Sequence, residues 1–447
     1  MGIYKKLLWI GGLVVIMGCT KEYLDIGETL ASELWENRPT SIACTPTPSP
    51  QTVIGNELSF ETEHVLCVNI QMEDFETLRN ESPFGPSILY ENGTTAAAVA
   101  AQYRGQCDVP FPSEYNWYSG TFIVDGITLN NVGIRKNGFL NSIFSVAPSI
   151  KLKTDRYVED QTIQNTERIH FNNNAADPSR LMQAINYKVF ELANYPAPRC
   201  NLATVSVNGE ALGIYSHVEV VQKEFLKRHF SEHKSDLYSG QHVDFIPEWI
   251  WRWEEESKHT DSLNQPILNI ANVLESTDDA GLVEALRQYI NIDKFITFWA
   301  LEVLLNHKEG YTANHSNFYV FFDTNDNNRA IFIPDGMNYF EHTDEAQVFS
   351  NFVNAELPRR LSRIPETAQL FETELNRLLT EVWDKAALLT LVDNLAIQVQ
   401  TGQNDEAYTT HVDQVKAWIQ NRASEVTNLL VNGLPQGEAS SNSCYEE

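Results

Sequence analysis

Apolar and polar residues alternate over Val65–Met72 (VLCVNIQM), the period of a half-buried strand. Two longer alternating stretches are each broken by a dipeptide that favours a left-handed turn. Asp125-Gly126 separates TFIV from ITLNNVGIR, and Asn208-Gly209 separates ATVSV from EALGIYSHVEVV. Both predict two-residue hairpins. Ser149–Lys153 (SIKLK) is a further short strand. Asp177-Pro178 predicts a helix start, with Asp as N-cap and Pro in the first turn. That helix runs through Leu181, Ile185, Tyr187 and Phe190 towards Asn194. Val220–Phe230 reads as helical, and residues 293–306 (DKFITFWALEVLLN) as an apolar, buried helix. Asn317–Phe322 and Ala330–Ile333 are strands around a polar turn, and residues 365–432 carry apolar positions at helical spacing. The expected class is α+β, with a hairpin-rich N-terminal part and a helical C-terminal part.

The ends read differently. Lys5 and Lys6 precede an apolar run, Leu7–Gly18, too short to span a bilayer as a helix, so residues 1–18 predict a signal peptide. The run ends Ile16-Met17-Gly18-Cys19, which resembles a bacterial lipobox; cleavage before Cys19 and its lipidation are expected. Residues 19–58 predict a flexible tether, because Pro39, Pro46, Pro48 and Pro50 interrupt a Ser/Thr-rich stretch. Residues 59–433 form the expected domain and 434–447 a polar tail. The expected location is the cell envelope, lipid-anchored outside the cytoplasm, on the bacterial outer membrane or cell surface. Disulfides form there, and of the six cysteines Cys67 and Cys107 are the expected pair.

The chain has 447 residues, 43% hydrophobic and 21% charged, which excludes a mainly disordered, collagen-like or coiled-coil protein. With 32 basic and 60 acidic residues the net charge is -28. That excludes a general nucleic-acid binder, which needs a basic face, but not a local phosphate site. No GxGxxG, GxxxxGK[ST], GxSxG or HExxH pattern occurs. The turn from Asp323 has Asn328 at its sixth position and Pro334 at its twelfth, where a calcium loop has Gly and Glu.

Several segments, in this order, resemble the CotH kinase family, a group with an atypical protein-kinase-like fold. They are Val132-Gly133-Ile134-Arg135-Lys136-Asn137-Gly138, Pro148–Lys153, Asp177-Pro178-Ser179 through Tyr187 to Pro196-Ala197-Pro198-Arg199, and Val207-Asn208-Gly209-Glu210 through Tyr215 to Glu219 and Phe225-Leu226-Lys227. Glu309-Gly310-Tyr311, Ser316-Asn317-Phe318-Tyr319 and Pro334-Asp335-Gly336-Met337-Asn338 complete the series. The resemblance covers about residues 65–433. It implies phosphoryl transfer from ATP with Mg²⁺, which needs a phosphate-holding lysine, an acid that orients the nucleophile, and an Asp/Asn pair for the metal.

Carried over by position, the resemblance makes Lys151 the phosphate lysine, with Lys153 on the same strand face and Arg135 on the preceding hairpin. Glu309 stands where the family has its catalytic Asp, and Asn317 at a metal-binding Asn. The family's helix Glu, partner of the lysine, is Gln183 here, and Glu219 is a second candidate for the nucleotide pocket. The metal-binding Asp falls on Asn338, with Asp335 as a substitute and Glu341 close behind. Gln183, Glu309 and Asn338 all weaken Mg²⁺–nucleotide chemistry, and ATP is scarce outside the cytoplasm. The expectation is therefore a degenerate kinase fold that binds a partner or glycan, without nucleic acid. The alternative is an active Mg²⁺–ATP-dependent Ser/Thr kinase acting on an exported protein. Pro247–Trp253 (PEWIWRW) is a candidate binding element, read as a strand with three Trp on one face or as a helix.

Overall fold

The computed structural model describes residues 53–54, 57–81, 115–138, 146–257, 264–339, 349–400, 406–431 and 433. Cys19, Cys107 and Glu341 lie outside the described residues, as do segments 1–18 and 434–447. Among the described residues, no helix is long and apolar enough to cross a membrane. Cys67 is disulfide-bonded, and Cys200 is a buried free thiol.

After a small hairpin of β1 (Val53–Ile54) and β2 (Glu57–Leu58), seven strands close into a barrel. They are β3 (Leu66–Gln71), β4 (Tyr118–Val124), β5 (Ile127–Asn137), β6 (Ser149–Lys153), β7 (Arg168–Asn172), β8 (Cys200–Val207) and β9 (Glu210–Val218), in spatial order β3-β4-β5-β6-β7-β9-β8. The hairpin-rich N-terminal part is thus a closed barrel. Closure comes from β3 and β8, a parallel pair in register from Leu66↔Ala203 to Ile70↔Val207. Both predicted turns form, with Asp125 and Gly126 at φ 47° and 82°, and Asn208 and Gly209 at 51° and 84°. Positive φ at both central residues matches the right-handed twist of the strands they join. Val68, Ile70, Phe122, Val132, Ile134, Leu152 and Phe171 fill the interior. The alternation that turns these inward turns Arg135, Lys151, Lys153 and His170 outward.

A second sheet has the order β11-β10-β12-β13, from β10 (Leu237–Gly240), β11 (Glu254–Glu255), β12 (Phe318–Asp323) and β13 (Arg329–Pro334). Around the two sheets lie α1 (Phe75–Asn80), α2 (Met182–Leu192), α3 (Lys223–His229), α4 (Gln265–Ser276), α5 (Asp279–Leu286) and α6 (Ile292–Leu305). They continue with α7 (Tyr311–Asn314), α8 (Glu356–Leu361), α9 (Pro365–Arg377), α10 (Lys385–Gln400) and α11 (Glu406–Val431). The α+β expectation holds. The large core joins the outer face of β8 and β9 (Leu202, Ile214) to α2, α6 and the C-terminal helices. Helix α6 is largely buried, as read; Asp293 in its first turn is exposed and Lys294 and Thr297 are half-buried. Its last carbonyls, Val303 O and Leu304 O, accept hydrogen bonds from the fully buried Arg422 of α11, the latter at 2.7 Å.

Two local readings change. The helix expected from Pro178 begins at Met182, because Arg180 is left-handed at φ 61° and interrupts it. Leu181, not Asp177, is the N-cap residue, but Asp177 Oδ2 accepts the first helical N–H, Met182 N, at 2.8 Å. Pro247–Arg252 is a 3₁₀ turn, not a strand. Trp249 and Trp253 are 9% and 4% exposed and Trp251 50%, so no face carries three tryptophans.

One barrel mouth is covered by the segment leading into β3. Asn201 Nδ2 donates to Ser59 O (3.1 Å) and His64 O (3.0 Å), and its Oδ1 meets His217 Nδ1 at 2.8 Å. Phe60 stacks on the His217 ring at 4.4 Å. Burial, and then the Arg199 charge, push the His217 pKa down to about 3 from 6.5. The folded state binds fewer protons than the unfolded chain between those values, so stability falls as pH drops through the window. Urea midpoints should decline between about pH 6.5 and 4, at up to ~1.4 kcal/mol per pH unit. His217→Asn should make the decline shallower; an unchanged slope would place the acid sensitivity elsewhere.

Candidate functional site

Strands β5, β6 and β7 lay a row of cationic and polar side chains across the outer barrel face. Register pairs Arg135 with Lys151 and Lys151 with His170. Lys153 lies two residues on along the same face and sits 3.8 Å from Asp155. The Arg135 guanidinium stacks on Trp117 at 4.6 Å, and Asn137 Nδ2 meets His170 Nε2 at 2.9 Å. Lys151 is half-buried. Burial lowers its pKa, and so does Arg135; Asp335, Glu256 and Glu254 act in the opposite direction. Its ammonium makes no direct hydrogen bond or ion pair among the described residues. Burial first, and then Lys151, hold His170 well below its ordinary value, so this row does not gain a third charge at neutral pH.

The opposing wall is built on the second sheet. Asn317, just before β12, is left-handed at φ 54° and donates through Nδ2 to Glu309 O at 3.0 Å. The Glu309 carboxylate accepts Asn314 Nδ2 at 3.0 Å. The β12–β13 ladder continues one step past Pro334, with Asp335 N donating to Asn317 O at 2.9 Å. Gly336 then turns left-handed at φ 58°, and a Cβ there would lie 2.8 Å from the Asn317 amide. Glu309, Asn317 and Asp335 are thus joined in one unit, and its Asp335 carboxylate lies in the field of Lys151. Burial raises the Asp335 pKa, partly offset by Lys151 and by a hydrogen bond from Gly336 N. Tyr319, also raised by burial, stands in the field of Asp335 and Glu256.

Three expected members stand apart. Gln183 of α2 is 1% exposed; among the described residues its Nε2 reaches only Tyr187 OH at 3.5 Å and its Oε1 has no partner. Glu219 accepts Arg199 Nη2 at 2.7 Å and Arg199 N at 3.0 Å, and pairs with Arg228 of α3. It ties the end of β9 to α3 instead of meeting Lys151. Asn338 Nδ2 is directed to Asn172 Oδ1 of β7 at 3.3 Å. The acids that face Lys151 besides Asp335 are Glu254 and Glu256. They lie in the Glu254-Glu255-Glu256 run after the Trp turn, and only the β10–β11 pairing brings that run to the cleft.

Among the described residues, no group of three His, Cys, Asp or Glu side chains forms a metal site. Asp335 supplies one carboxylate and Asn317 one amide oxygen. Mg²⁺ is commonly held by one or two carboxylates completed by substrate phosphates. This donor set fits Mg²⁺ only together with a phosphate-bearing ligand. Asp335 and Asn317 would hold the ion, and it would screen the phosphate charge.

Fold and site together define a two-lobed α+β protein with a cationic barrel wall facing an acid–amide turn. The chain belongs to the CotH family: residues 144–426 match the family described as CotH kinase protein. A curated relative, Invasin CotH7 of Rhizopus delemar, is 24% identical over 239 residues, 47% of this chain and 39% of that protein. The chain therefore spans well under half the length of that relative.

Gly336→Ala should displace the Asn317 amide and strain the turn, costing about 1–3 kcal/mol in urea unfolding. Adding Asn317→Ala should recover part of that loss, since it removes the clashing atoms. A double variant no more stable than Gly336→Ala would show that backbone strain alone is responsible.

Proposed function

We propose that this chain is an envelope-anchored, kinase-like member of the CotH family whose inter-lobe cleft binds a phosphate-bearing ligand but transfers phosphate poorly. In this reading Cys19 carries the lipid anchor, and the domain works by binding an exported protein or glycan. The observation that carries it is Lys151, a half-buried ammonium without a direct partner among the described residues, beside Arg135 and across from Asp335. An unpaired cation in a partly desolvated site is a receptor for an anion. Poor transfer follows from the acid side: Gln183 cannot neutralise Lys151, the Asn338 amide is directed to Asn172, and Asp335 is the remaining carboxylate beside Asn317. Trp251, exposed and flanked by Arg252 at 5.3 Å, is a small contact point for a partner rather than a platform.

A thermal-shift titration with ATP tests the ligand. Binding to the native state must raise the melting temperature. ATP with Mg²⁺ should raise it, Mg²⁺ alone should not, and Lys151→Ala should abolish the rise. No shift at millimolar ATP would end the nucleotide reading.

The second reading, an active Ser/Thr kinase, is favoured by one observation. Asn317 links Glu309 to the Asp335 turn, so the acid and the metal candidates share one rigid unit. Labelled-phosphate transfer to a generic Ser/Thr protein substrate should not exceed the background of Glu309→Gln. Transfer that is lost in Glu309→Gln would establish the kinase instead.

A further inference from the structure

Glu302 lies in the last turn of α6 and is fully buried. A carboxylate in an apolar helix needs compensation. Here it comes from the next turn of chain. Oε1 accepts Tyr311 N at 3.0 Å; Oε2 accepts Thr312 N at 2.9 Å and Thr312 Oγ1 at 2.5 Å. These two N–H groups open α7, whose N-cap, Gly310, offers no side-chain cap. A Cβ at Gly310 would lie 2.0 Å from Glu302 Oε1 and 2.4 Å from His307 Cδ2. Gly310 is therefore required so that the carboxylate can reach the N–H groups beyond it. Glu309, which bonds Asn314 and Asn317, lies inside the span that Glu302 pins.

We infer that Glu302 is a positioning residue of the cleft: its two carboxylate oxygens fix the His307–Thr312 turn and so set where Glu309 and Asn317 are presented. The importance of that presentation rests on the cleft reading above; how the turn is held does not. An amide at 302 has one acceptor oxygen fewer and sets a donor against an N–H, so Glu302→Gln should loosen the turn. Burial raises the Glu302 pKa to about 7, with the Thr312 and Tyr311 hydrogen bonds opposing. The groups around it hold their charge near neutrality. Burial keeps His307 neutral, with its pKa down at about 4. Tyr195 and Tyr311 stay protonated, and Arg422 at the end of α6 stays charged. On the far side of Tyr311 lie Asp244, which accepts its hydroxyl at 2.9 Å, and Glu356.

The test is amide hydrogen exchange on the full chain, corrected for intrinsic rate, between about pH 5.5 and 8.5. The folded carboxyl has a pKa above its unfolded value, so the closed turn binds more protons than the opened one. In wild type, protection of the peptide over residues 306–317 should be level above about pH 7 and rise as pH falls below it, by up to about tenfold per unit. Glu302→Gln should leave this peptide unprotected at every pH while β8 and β9 stay protected. Thr312→Val removes one donor to the charged form, so its transition should move to higher pH. A pH-independent wild-type profile, or wild-type protection in Glu302→Gln, would overturn the proposal. If Glu302→Gln does not fold, an unmoved midpoint in Thr312→Val overturns it. No nucleotide enters this readout, so a failed ATP titration would sink the cleft reading and leave the positioning role to be judged by exchange.

Discussion

Closure of the barrel by the parallel pairing of β3 with β8 constrains everything else. A closed barrel has no free edge, and its small interior is filled by aliphatic and aromatic side chains. Polar residues on its strands therefore point outward unless, like Lys136, Asn201 and His217, they find hydrogen-bond partners inside. On β8 and β9 the outer face is apolar and takes the helical core. On β5, β6 and β7 it carries Arg135, Lys151 and His170, and the second sheet stands opposite. The cleft is what remains between a barrel face that turns Arg135 and Lys151 outward and a lobe that meets them with acids.

The charge pattern of that cleft is mixed. Lys151 feels one neighbouring cation on its own lobe and three carboxylates from the other. Its field is thus supplied across the cleft, by the β11 region and Asp335, and not from α2, where Gln183 replaces an acid. An incoming phosphate competes with Asp335, Glu254 and Glu256 for the same ammonium. Such competition lowers affinity, and it also makes binding sensitive to how far apart the lobes stand, since the acids and the lysine belong to different lobes.

Much of this was legible from sequence, for local reasons. The Asp125-Gly126 and Asn208-Gly209 turns need positive φ, and those residue pairs supply it. Most of α6 is buried because its residues from Phe298 on are almost all apolar. What the sequence hid depends on contacts distant along the chain. Barrel closure rests on a pairing more than a hundred residues apart, which no local period encodes. Arg180 turned left-handed and shortened the start of α2, whereas the Asp-Pro pair signalled only the carboxylate that accepts its first N–H. Among site residues, Arg135 pairs with Lys151, Asn317 joins Glu309 to the Asp335 turn, and Asp335 lies in the field of Lys151. Glu219 did not join them, because two arginines claim it. Glu254, Glu256 and Glu302 were unremarkable as letters; pairing and burial give them their surroundings.

The segment that Asn201 holds across the barrel mouth has a mechanical meaning. In a chain tethered at Cys19, as proposed, any pull from the membrane enters the domain through residues 59–65 and runs into β3. That strand is bonded along its length to β4 on one side and β8 on the other. A force along its axis loads both ladders together in shear, so their hydrogen bonds share the strain instead of opening one at a time. The β1–β2 hairpin and the buried Leu58, whose N donates to Thr166 Oγ1 at 3.4 Å, meet the load before the Asn201 and Phe60 contacts. The cleft, on the faces of β5–β7, lies off this line, so the anchor can be dragged without prising the binding site open.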